Sequence, residues 1–569
     1  MGVFDNAMLK LDESIASLFT QWNGYTTLIV TIFLGFLTYQ VATRREPDTH
    51  PMLLARQADA SRVRQEGESP VYRSQAAPHG MPLNPGLNVK APGASKWSQG
   101  RNGDLRDIWR QAVAGSQEEG KYQGLKGRIY TVYGSENVIE DKLEDITRQI
   151  NLIGQHISKQ GGKRVAIYLP NSVEYMATLF ACSFYDLTAI LLPFDQAEDA
   201  ILSMLRRSAA DTVVTLPGAF PFESAVKNYP GLKQLIWVVD EGSNHLDWDE
   251  VPKGIGGRVN VSTWQEIINE QPAAAGTQLP ALEGQKEPQD ITVFWEGKPG
   301  VEEQMVNFTA GNLASAVAAQ IFAIPTVRRI NPSDLFLPAE SLANTYTLVL
   351  TLAALYSNAS VAFNSVAGKA ADLGVATVGV APTIIVASPA TLLKTHSEAK
   401  ARHSSFLTRT VHKLQTLTMT QSGSLPKPTF YSKLNDKLRP SIGVRPGSLR
   451  LIYTAERVGG DTPPLSSSVL SDLRIYTGAR VVYALTAAKV AGAVTQTGFY
   501  DYRVADDERS HFGAPLTSTE IWLKDTREHK SSDDKNVGEI VVRGPSVSGG
   551  ETGLGVVGVI RDDNTLAYL

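Results

Sequence analysis

The sequence predicts an α/β protein with stacked, largely parallel sheets and a small β subdomain, preceded by a single transmembrane helix. Three observations support this fold class. Near-continuous apolar strands alternate with helical patterns, as in parallel sheets that are covered on both faces. Short alternating strands follow Gly498 and predict the small β subdomain. An uncharged apolar stretch, Gly24–Ala42, predicts the membrane helix.

The composition limits the classes of function. With 569 residues, 43% apolar and 20% charged, the chain has the ordinary composition of a folded α/β protein with more than one domain. Its net charge of -4 gives no reason to expect nucleic-acid binding. A single cysteine, Cys182, excludes internal disulfides and all-cysteine zinc sites and suits a reducing compartment. It falls on the apolar face of a predicted helix, so we expect inert core.

Residues 24–42 are predicted to be a retained membrane anchor. At ~1.5 Å per residue they reach close to ~30 Å, the hydrocarbon thickness of a bilayer. Charged residues precede the stretch and it lacks a small-residue cleavage pattern, which argues against a signal peptide; a buried core helix is the alternative. Arg44 and Arg45 favour a cytosolic location for the large C-terminal part, which would leave residues 1–23 on the non-cytosolic side.

The next segment, residues 43–120, is predicted to be an extended linker because it is rich in proline and charge and shows little periodicity. Its basic residues could rest on anionic head groups, but a solvated tether is the simpler interpretation. Within it, Asp104–Val113 places Leu105, Ile108 and Trp109 at helical spacing and predicts a short helix that packs on the domain.

The rest of the chain shows repeated strand and helix patterns. Arg164–Pro193 consists of a β-branched strand, a turn, a helix that begins at Ser172 and a second apolar strand, which together predict a βαβ unit. Further strands and helices follow in the same alternation. We therefore expect two α/β subdomains, residues 121–333 and 334–497, and a small β subdomain, residues 498–569.

Four stretches carry a resemblance to a known family. They are the βαβ unit at Arg164–Pro193, a strand and turn at Ser448–Val482, GEIVVRGPSV at Gly538–Val547 and GVIRDDNTLAYL at Gly558–Leu569. In order and spacing they resemble the N-terminal domain of the adenylate-forming (AMP-binding) superfamily, which includes long-chain acyl-CoA synthetases and luciferases. The likeness runs from about Lys121 to the end. Members of this family join a carboxylate to AMP and then pass the acyl group to a thiol, usually that of coenzyme A.

The resemblance implies a phosphate-binding loop, but the residues at its place have changed. The family's T-S-G-[ST]-T-G-x-P-K-G falls on Glu296–Met305. The family's glycine positions hold Lys298, Val301 and Met305, whereas Gly297 and Gly300 fall on its hydroxyl positions, and Gln304 replaces the lysine. The proline beside Gly300 favours a simple surface turn over a phosphate site.

Two acidic residues, Glu302 and Glu303, fall on the same loop. Beside a triphosphate, each close like-charge contact would cost on the order of 1 to 4 kcal/mol at the dielectric of a protein surface. We therefore expect this loop to repel ATP.

Other nucleotide contacts of the family are also missing. The family's Y-G-x-T-E, in which tyrosine stacks on adenine and glutamate serves Mg²⁺, falls on a run that keeps Tyr483 and Thr486 but has Ala487 in place of the glutamate. The aspartate that holds the ribose is replaced by Val556. The family continues through a hinge into a C-terminal lid, whereas this sequence stops at Leu569. The resemblance thus leaves vestigial nucleotide positions, no catalytic residue, no bound cofactor and no metal site.

The sequence therefore favours a membrane-anchored pseudoenzyme that is related to long-chain acyl-CoA synthetases. It would act as a scaffold or regulator of an active synthetase or other protein, or bind a fatty acid or acyl chain. An active ligase with divergent motifs is the first alternative, and ATP, Mg²⁺ and coenzyme A are expected under that alternative alone. A purely structural membrane tether is the second. The resemblance favours the endoplasmic reticulum over the outer mitochondrial membrane, and no nucleic acid is expected as a partner.

Overall fold

A computed structural model describes residues 16–17, 23–42, 46–91, 93–95, 97–117, 120–133, 137–239, 259–281, 286–426, 438–440, 442–443, 447–530 and 535–569. Their strands form three sheets, of six, seven and nine strands. In chain order the strands are β1 Ala58–Val63, β2 Pro70–Ser74, β3 Ile129–Tyr133, β4 Asn137–Asp141, β5 Arg164–Tyr168, β6 Thr188–Leu191, β7 Thr212–Thr215, β8 Gln234–Trp237, β9 Asn260–Thr263, β10 Ile291–Trp295, β11 Gln304–Phe308, β12 Leu335–Pro338, β13 Ser360–Asn364, β14 Ile384–Val386, β15 Leu451–Arg457, β16 Arg480–Thr486, β17 Thr495–Gln496, β18 Ala514–Pro515, β19 Glu520–Lys524, β20 Val537–Arg543, β21 Glu551–Ile560 and β22 Leu566–Tyr568.

The α-helices of the described residues cover the sheets and connect their strands. In chain order they are α1 Gly24–Ala42, α2 Pro51–Ala55, α3 Leu105–Ala114, α4 Leu143–Lys159, α5 Val173–Phe184, α6 Glu198–Ser208, α7 Phe222–Asn228, α8 Trp264–Asn269, α9 Ala310–Phe322, α10 Thr345–Tyr356, α11 Leu373–Ala376, α12 Pro389–Arg402, α13 Phe406–Ser422 and α14 Ser467–Thr477. The helix predicted at Asp104–Val113 is confirmed as α3, and Asp104 caps it by accepting a hydrogen bond from the Arg106 amide.

The seven-stranded sheet is mostly parallel. Its order is β11-β10-β6-β5-β7-β8-β9, with β10 and β11 antiparallel and the other neighbouring pairs parallel. The βαβ unit predicted at Arg164–Pro193 is confirmed, because β5 and β6 pair in parallel on either side of α5. Ser172 begins α5 as predicted: its hydroxyl accepts a hydrogen bond from the Tyr175 amide at 3.1 Å.

The nine-stranded sheet has the order β18-β17-β16-β15-β14-β12-β13-β3-β4. Its central strands, β16 to β3, are parallel, whereas β17, β18 and β4 are antiparallel at the edges. One hydrophobic core joins this sheet to the seven-stranded one. Ile167 and Val293 of the seven-stranded sheet are buried in the same cluster as Phe363 and Tyr453 of the nine-stranded sheet. The predicted α/β fold of stacked, largely parallel sheets is thus confirmed.

The six-stranded sheet is antiparallel and corrects the predicted linker. Its order is β1-β2-β19-β20-β21-β22, so residues 58–74 supply two of its strands. Pro70 begins β2, a position where a strand tolerates proline. Val71 is buried against Trp522 and Val541 of the C-terminal strands. Residues 43–120 are therefore not an extended linker throughout, and the small β subdomain includes strands from both ends of the chain.

Charge pairing fastens β2 to this sheet. Glu520 of β19 has a fully buried side chain, and its Oε2 lies 2.5 Å from Nε of Arg73 on β2. Nε of Arg543 on β20 donates to Oε1 of Glu520 at 2.8 Å. These contacts lower the pKa of Glu520 against the opposing effect of burial. The pairing partner of Arg73 lies more than four hundred residues away in sequence, so local periodicity carried no sign of it.

Helices α12, α13 and α14 meet at a cluster of histidines around one aspartate. Asp472 of α14 lies 3.0 Å from Nε2 of His396 and 2.7 Å from Nε2 of His412, and the His412 ring stacks on Tyr476. Burial alone would raise the pKa of Asp472, but the two histidine hydrogen bonds outweigh it and lower the pKa to about 2. This carboxylate joins three helices and therefore contributes to their packing.

The residues predicted as an anchor form helix α1, Gly24–Ala42. Large apolar side chains of α1 are exposed, including Ile29, Ile32 and Phe33. Across the described part of the chain, however, no helix is both long and apolar enough to cross a membrane. The transmembrane helix of the predicted fold class is thus unsupported.

Candidate functional site

A hairpin occupies the place where the resemblance implies a phosphate-binding loop. β10 pairs antiparallel with β11, with Trp295 opposite Gln304. Between them the Val301 amide donates to the Lys298 carbonyl at 3.1 Å, and Gly300 has a φ of 83°. A proline followed by a glycine with positive φ is typical of a type II turn. The predicted surface turn is confirmed.

Strand β11 is an element of this site that sequence analysis missed. Helix α9 starts just after it, and Thr309 and Asn312 form a capping box at its beginning. Gln304, which replaces the family's lysine, belongs to β11 and has an exposed side chain. Gly297 has room for a Cβ, since its nearest neighbour would be the Gly459 carbonyl oxygen at 3.7 Å. No described protein atom therefore requires glycine at this position.

Glu302 and Glu303 have a cationic partner that the sequence did not reveal. Nη1 of Arg207, on α6, lies 3.0 Å from Oε1 of Glu302 and 3.9 Å from Oε2 of Glu303. The Arg207 guanidinium also lies over the Phe294 ring, 5.3 Å from its centroid. These two carboxylates are therefore partly neutralised, which weakens the repulsion of ATP that they are predicted to exert.

The carboxylate that dominates the site is Glu296, the first residue after β10. Its Oε1 accepts hydrogen bonds from Gln196 Nε2 at 3.0 Å and from Lys369 Nζ at 2.9 Å. Its Oε2 lies 3.5 Å from Nη1 of Arg457. Three donors from three separate parts of the chain therefore converge on one side chain.

Arg457 is held firmly in place. It is the last residue of β15, as Trp295 is the last residue of β10. Its guanidinium lies over the Trp295 ring, 4.4 Å from the ring centroid. The Trp295 indole donates to the Val458 carbonyl at 3.3 Å. The carboxyl ends of strands from both large sheets thus meet here, which is where open α/β sheets bind ligands.

Glu340 is a second carboxyl group at the same place. It follows β12, is 7% exposed, and accepts a hydrogen bond from Asn344 Nδ2 through Oε1 at 2.8 Å. Among the described residues its Oε2 has no hydrogen-bond partner, and neither does Nε of Arg457. Burial raises the pKa of Glu340, and the nearby positive charge of Arg457 offsets only part of this rise.

These residues line an open cleft of about 430 Å³. The turn at Lys298 to Gly300 lines this cleft, as do Glu340, Lys369 and Arg457. Sequence analysis did not identify Lys369 or Arg457 as residues of the site. A charged residue at the end of an apolar strand was the available signal for Arg457. Lys369 lies in a loop after β13, where no pattern indicated it.

Tyr483, the vestigial adenine-stacking residue, is sealed inside the protein. It is 0% exposed, and its ring packs against Phe512 with 5.2 Å between centroids. Its hydroxyl donates to Oε2 of Glu456 at 2.5 Å and accepts from the Leu465 amide at 3.3 Å. Burial raises the pKa of Tyr483, and the adjacent Glu456 charge raises it further. Both faces of the ring are therefore unavailable to a nucleotide base in this conformation.

The remaining vestigial positions are also structural. The Thr486 hydroxyl donates to the Glu456 carbonyl at 3.0 Å, and the buried Ala487 brings no ligand for a metal. Val556 lies within β21 and packs against the core under the six-stranded sheet. In the part of the chain that the structure describes, no three histidine, cysteine, aspartate or glutamate residues are grouped to hold a metal ion. These residues do not fit Mg-ATP in the way that the resemblance implies.

Cys182 is buried in α5 as expected, and burial raises the pKa of its thiol. A thiol in this environment stays protonated and is a poor nucleophile.

A model of one protein family matches the sequence. It is that of the AMP-binding enzymes, and it matches residues 144–291 and 304–550. The interval between the two matched segments contains most of β10 and the loop that carries Glu296. No curated protein sequence matches the chain.

Solved structures share the fold at low sequence identity. The anthranilate CoA ligase AuaEII, in complex with anthranoyl-AMP, is 15% identical with a TM-score of 0.57, over 84% of this chain and 78% of that chain. A long-chain-fatty-acid-CoA ligase of Archaeoglobus fulgidus is 15% identical with a TM-score of 0.55, over 86% of each chain. The N-terminal domain of FACL13 of Mycobacterium tuberculosis is 13% identical with a TM-score of 0.55, over 82% of this chain and 99% of that chain.

Proposed function

Because the chain belongs to the AMP-binding enzyme family, we propose that it is a degenerate member that does not activate carboxylates with ATP and acts by binding. Its partner would be an active acyl-CoA synthetase, which it scaffolds or regulates, or a fatty acyl chain that it holds. On this proposal the protein has the fold of the family but does not carry out the family's first chemical step, in which a carboxylate is joined to AMP.

The burial of Tyr483 is the observation that carries the proposal. For adenine to stack on this ring, the ring would have to leave Phe512 and break its hydrogen bond to Glu456. A hydrogen bond to a charged group contributes about 1.5–3 kcal/mol, and burying a large aromatic side chain contributes about as much again. Adenine stacking returns about 1–3 kcal/mol, so the exchange is unfavourable.

The site that would hold the phosphates supports the same proposal. The glycine loop is replaced by a hairpin with one tight turn, and the first residue of that hairpin loop is the acidic Glu296. The family model leaves out this interval although it matches the chain on both sides of it. Change concentrated at the nucleotide site, within a fold that is otherwise kept, is what loss of ATP binding would leave.

A membrane location forms part of the proposal. The exposed apolar side chains of α1 favour an apolar environment for this helix. The endoplasmic reticulum remains the expected membrane, with the large domain in the cytosol.

An active ligase with divergent motifs is the second candidate, and the open cleft of about 430 Å³ favours it. Lys369 and Arg457, both at the cleft, could neutralise phosphate charge in place of the family's loop lysine. ATP, Mg²⁺ and coenzyme A would then be cofactors.

Mg-ATP binding separates the two candidates. We expect isothermal titration of the purified full-length protein with Mg-ATP to show no binding, and incubation with a fatty acid and ATP to yield neither adenylate nor thioester. Micromolar binding of Mg-ATP would refute the pseudoenzyme and establish the nucleotide site. Co-purification of fatty acid with the protein would favour an acyl-chain binder over a scaffold.

A further inference from the structure

Glu296 and its three hydrogen-bond donors are arranged like an anionic ligand and the side chains that bind it. Two of its hydrogen-bond donors are cationic, Lys369 and Arg457, and the third is the neutral amide of Gln196. Arg457 is 11% exposed at its side chain and is oriented by the Trp295 ring. Its guanidinium is therefore a fixed donor, whereas Lys369, at 72% exposed, can adjust.

Without the Glu296 carboxylate, these donors would form an anion site. Lys298 also lines the cleft, and the acidic Glu303 there is paired with Arg207. Asp461 is the remaining acidic residue of the lining besides Glu340. The cations of the lining would then outnumber its unpaired acids.

A second observation concerns two buried polar atoms next to this group. Oε2 of Glu340 is buried at the wall of the cleft and has no hydrogen-bond partner in the described chain, and Nε of Arg457 is in the same situation. A buried polar atom without a hydrogen-bond partner destabilises the folded state. Arg457 therefore carries a donor, Nε, that no group of the described chain uses.

We propose that the Glu296 carboxylate acts as a built-in ligand that fills an anion site formed by Gln196, Lys369 and Arg457. A phosphate or carboxylate oxyanion binds in the cleft when this side chain is displaced or replaced. The proposal rests on the proposed function, since it explains why a cleft that retains two cations does not take up ATP. It adds that one side chain, rather than general decay of the site, closes the anion position.

Titration of anions into the purified full-length protein tests this proposal. The probes are inorganic pyrophosphate and, separately, octanoate. We expect the Glu296→Gln variant, which keeps the side-chain size but not the charge, to bind one probe on the order of tenfold more tightly than the wild type. A gain for pyrophosphate assigns the site to phosphates, and a gain for octanoate assigns it to carboxylates.

Two further variants serve as controls. The Glu296→Gln/Arg457→Gln double variant should lose the gain, because it removes the fixed donor. The Glu302→Gln variant removes one acidic residue of the same loop that pairs with Arg207 instead, and should bind both anions as the wild type does.

The proposal is overturned if the Glu296→Gln variant is folded, by its thermal unfolding curve, and gains affinity for neither anion. If that variant does not fold, Glu296→Ala is tested in its place with the same criterion. Binding of Mg-ATP by the wild type would refute the proposed function alone. A missing gain would refute the built-in ligand and leave the proposed function standing.

Discussion

Replacing Tyr483 by phenylalanine tests whether this residue has become structural. The substitution keeps the ring that packs on Phe512 and removes only the hydroxyl. That hydroxyl donates a hydrogen bond to Glu456, which is 4% exposed, and accepts one from the Leu465 amide. In an enzyme that stacks adenine on this ring, the same change would leave the stacking face intact.

The magnitude follows from the two bonds. Loss of a hydrogen bond to a charged acceptor costs about 1.5–3 kcal/mol, and a buried amide left without a partner costs about 1–3 kcal/mol. Glu456 keeps its ion pair with Arg509, whose Nε lies 3.4 Å from Oε1, which limits the damage. We therefore expect Tyr483→Phe to lower the free energy of unfolding by about 2–4 kcal/mol.

Urea unfolding of the full-length protein, followed by tryptophan fluorescence, measures this loss. The Tyr500→Phe variant is the matched control, because the hydroxyl of this half-buried residue makes no hydrogen bond to the described residues. Its unfolding midpoint should stay close to that of the wild type. A Tyr483→Phe midpoint equal to that of the wild type, or a change in Mg-ATP binding without a loss of stability, would refute the structural role.

Three further predictions concern other parts of the fold. The lowered pKa of Asp472 stabilises the folded state above its ordinary pKa of about 3.9, and this contribution is lost as the pH falls towards about 2. Asp472→Asn should therefore cost about 1–2 kcal/mol in urea unfolding at neutral pH and progressively less below about pH 4; a cost independent of pH would contradict this. Arg73→Ala should cost about 2–4 kcal/mol by leaving buried Glu520 with fewer partners, and limited proteolysis should then cut within residues 58–74; unchanged protection there would contradict the pairing. Deletion of Gly24–Ala42 should move the protein from the membrane pellet to the supernatant. If the deletion variant still sediments with the membranes, this helix has no role in membrane attachment.

Local sequence patterns were sufficient to predict much of the fold, because single strands, helix starts and turns depend on the chemistry of neighbouring residues. The βαβ unit at Arg164–Pro193 could be predicted since apolar runs, a serine cap and a proline turn each determine their own neighbourhood. The turn at Gly300 follows from its proline and glycine alone.

Pairings over long distances along the chain could not be predicted in this way. Nothing near Arg73 in sequence indicates that its partner is Glu520, so β1 and β2 were taken for linker. Strand β11 is short, with three of its five positions exposed, and its identity depends on pairing with β10. At the candidate site, Arg207 and Lys369 act through contacts with residues about a hundred and about seventy positions away. The sequence showed which residues of the family motifs are lost. It did not show which side chains from distant parts of the chain lie at the site instead.

The insertion of residues 58–74 into the C-terminal sheet decides where this protein can be shortened. A fragment that starts at about Lys121 would leave β19 without its neighbour and expose Trp522 together with a row of unpaired amides and carbonyls. Such an edge recruits other chains, so insolubility of that fragment would say nothing about the intact fold. Asp48 is itself held by Arg480 and Tyr502. A cut between Ala42 and Asp48 removes the apolar helix while sparing every strand.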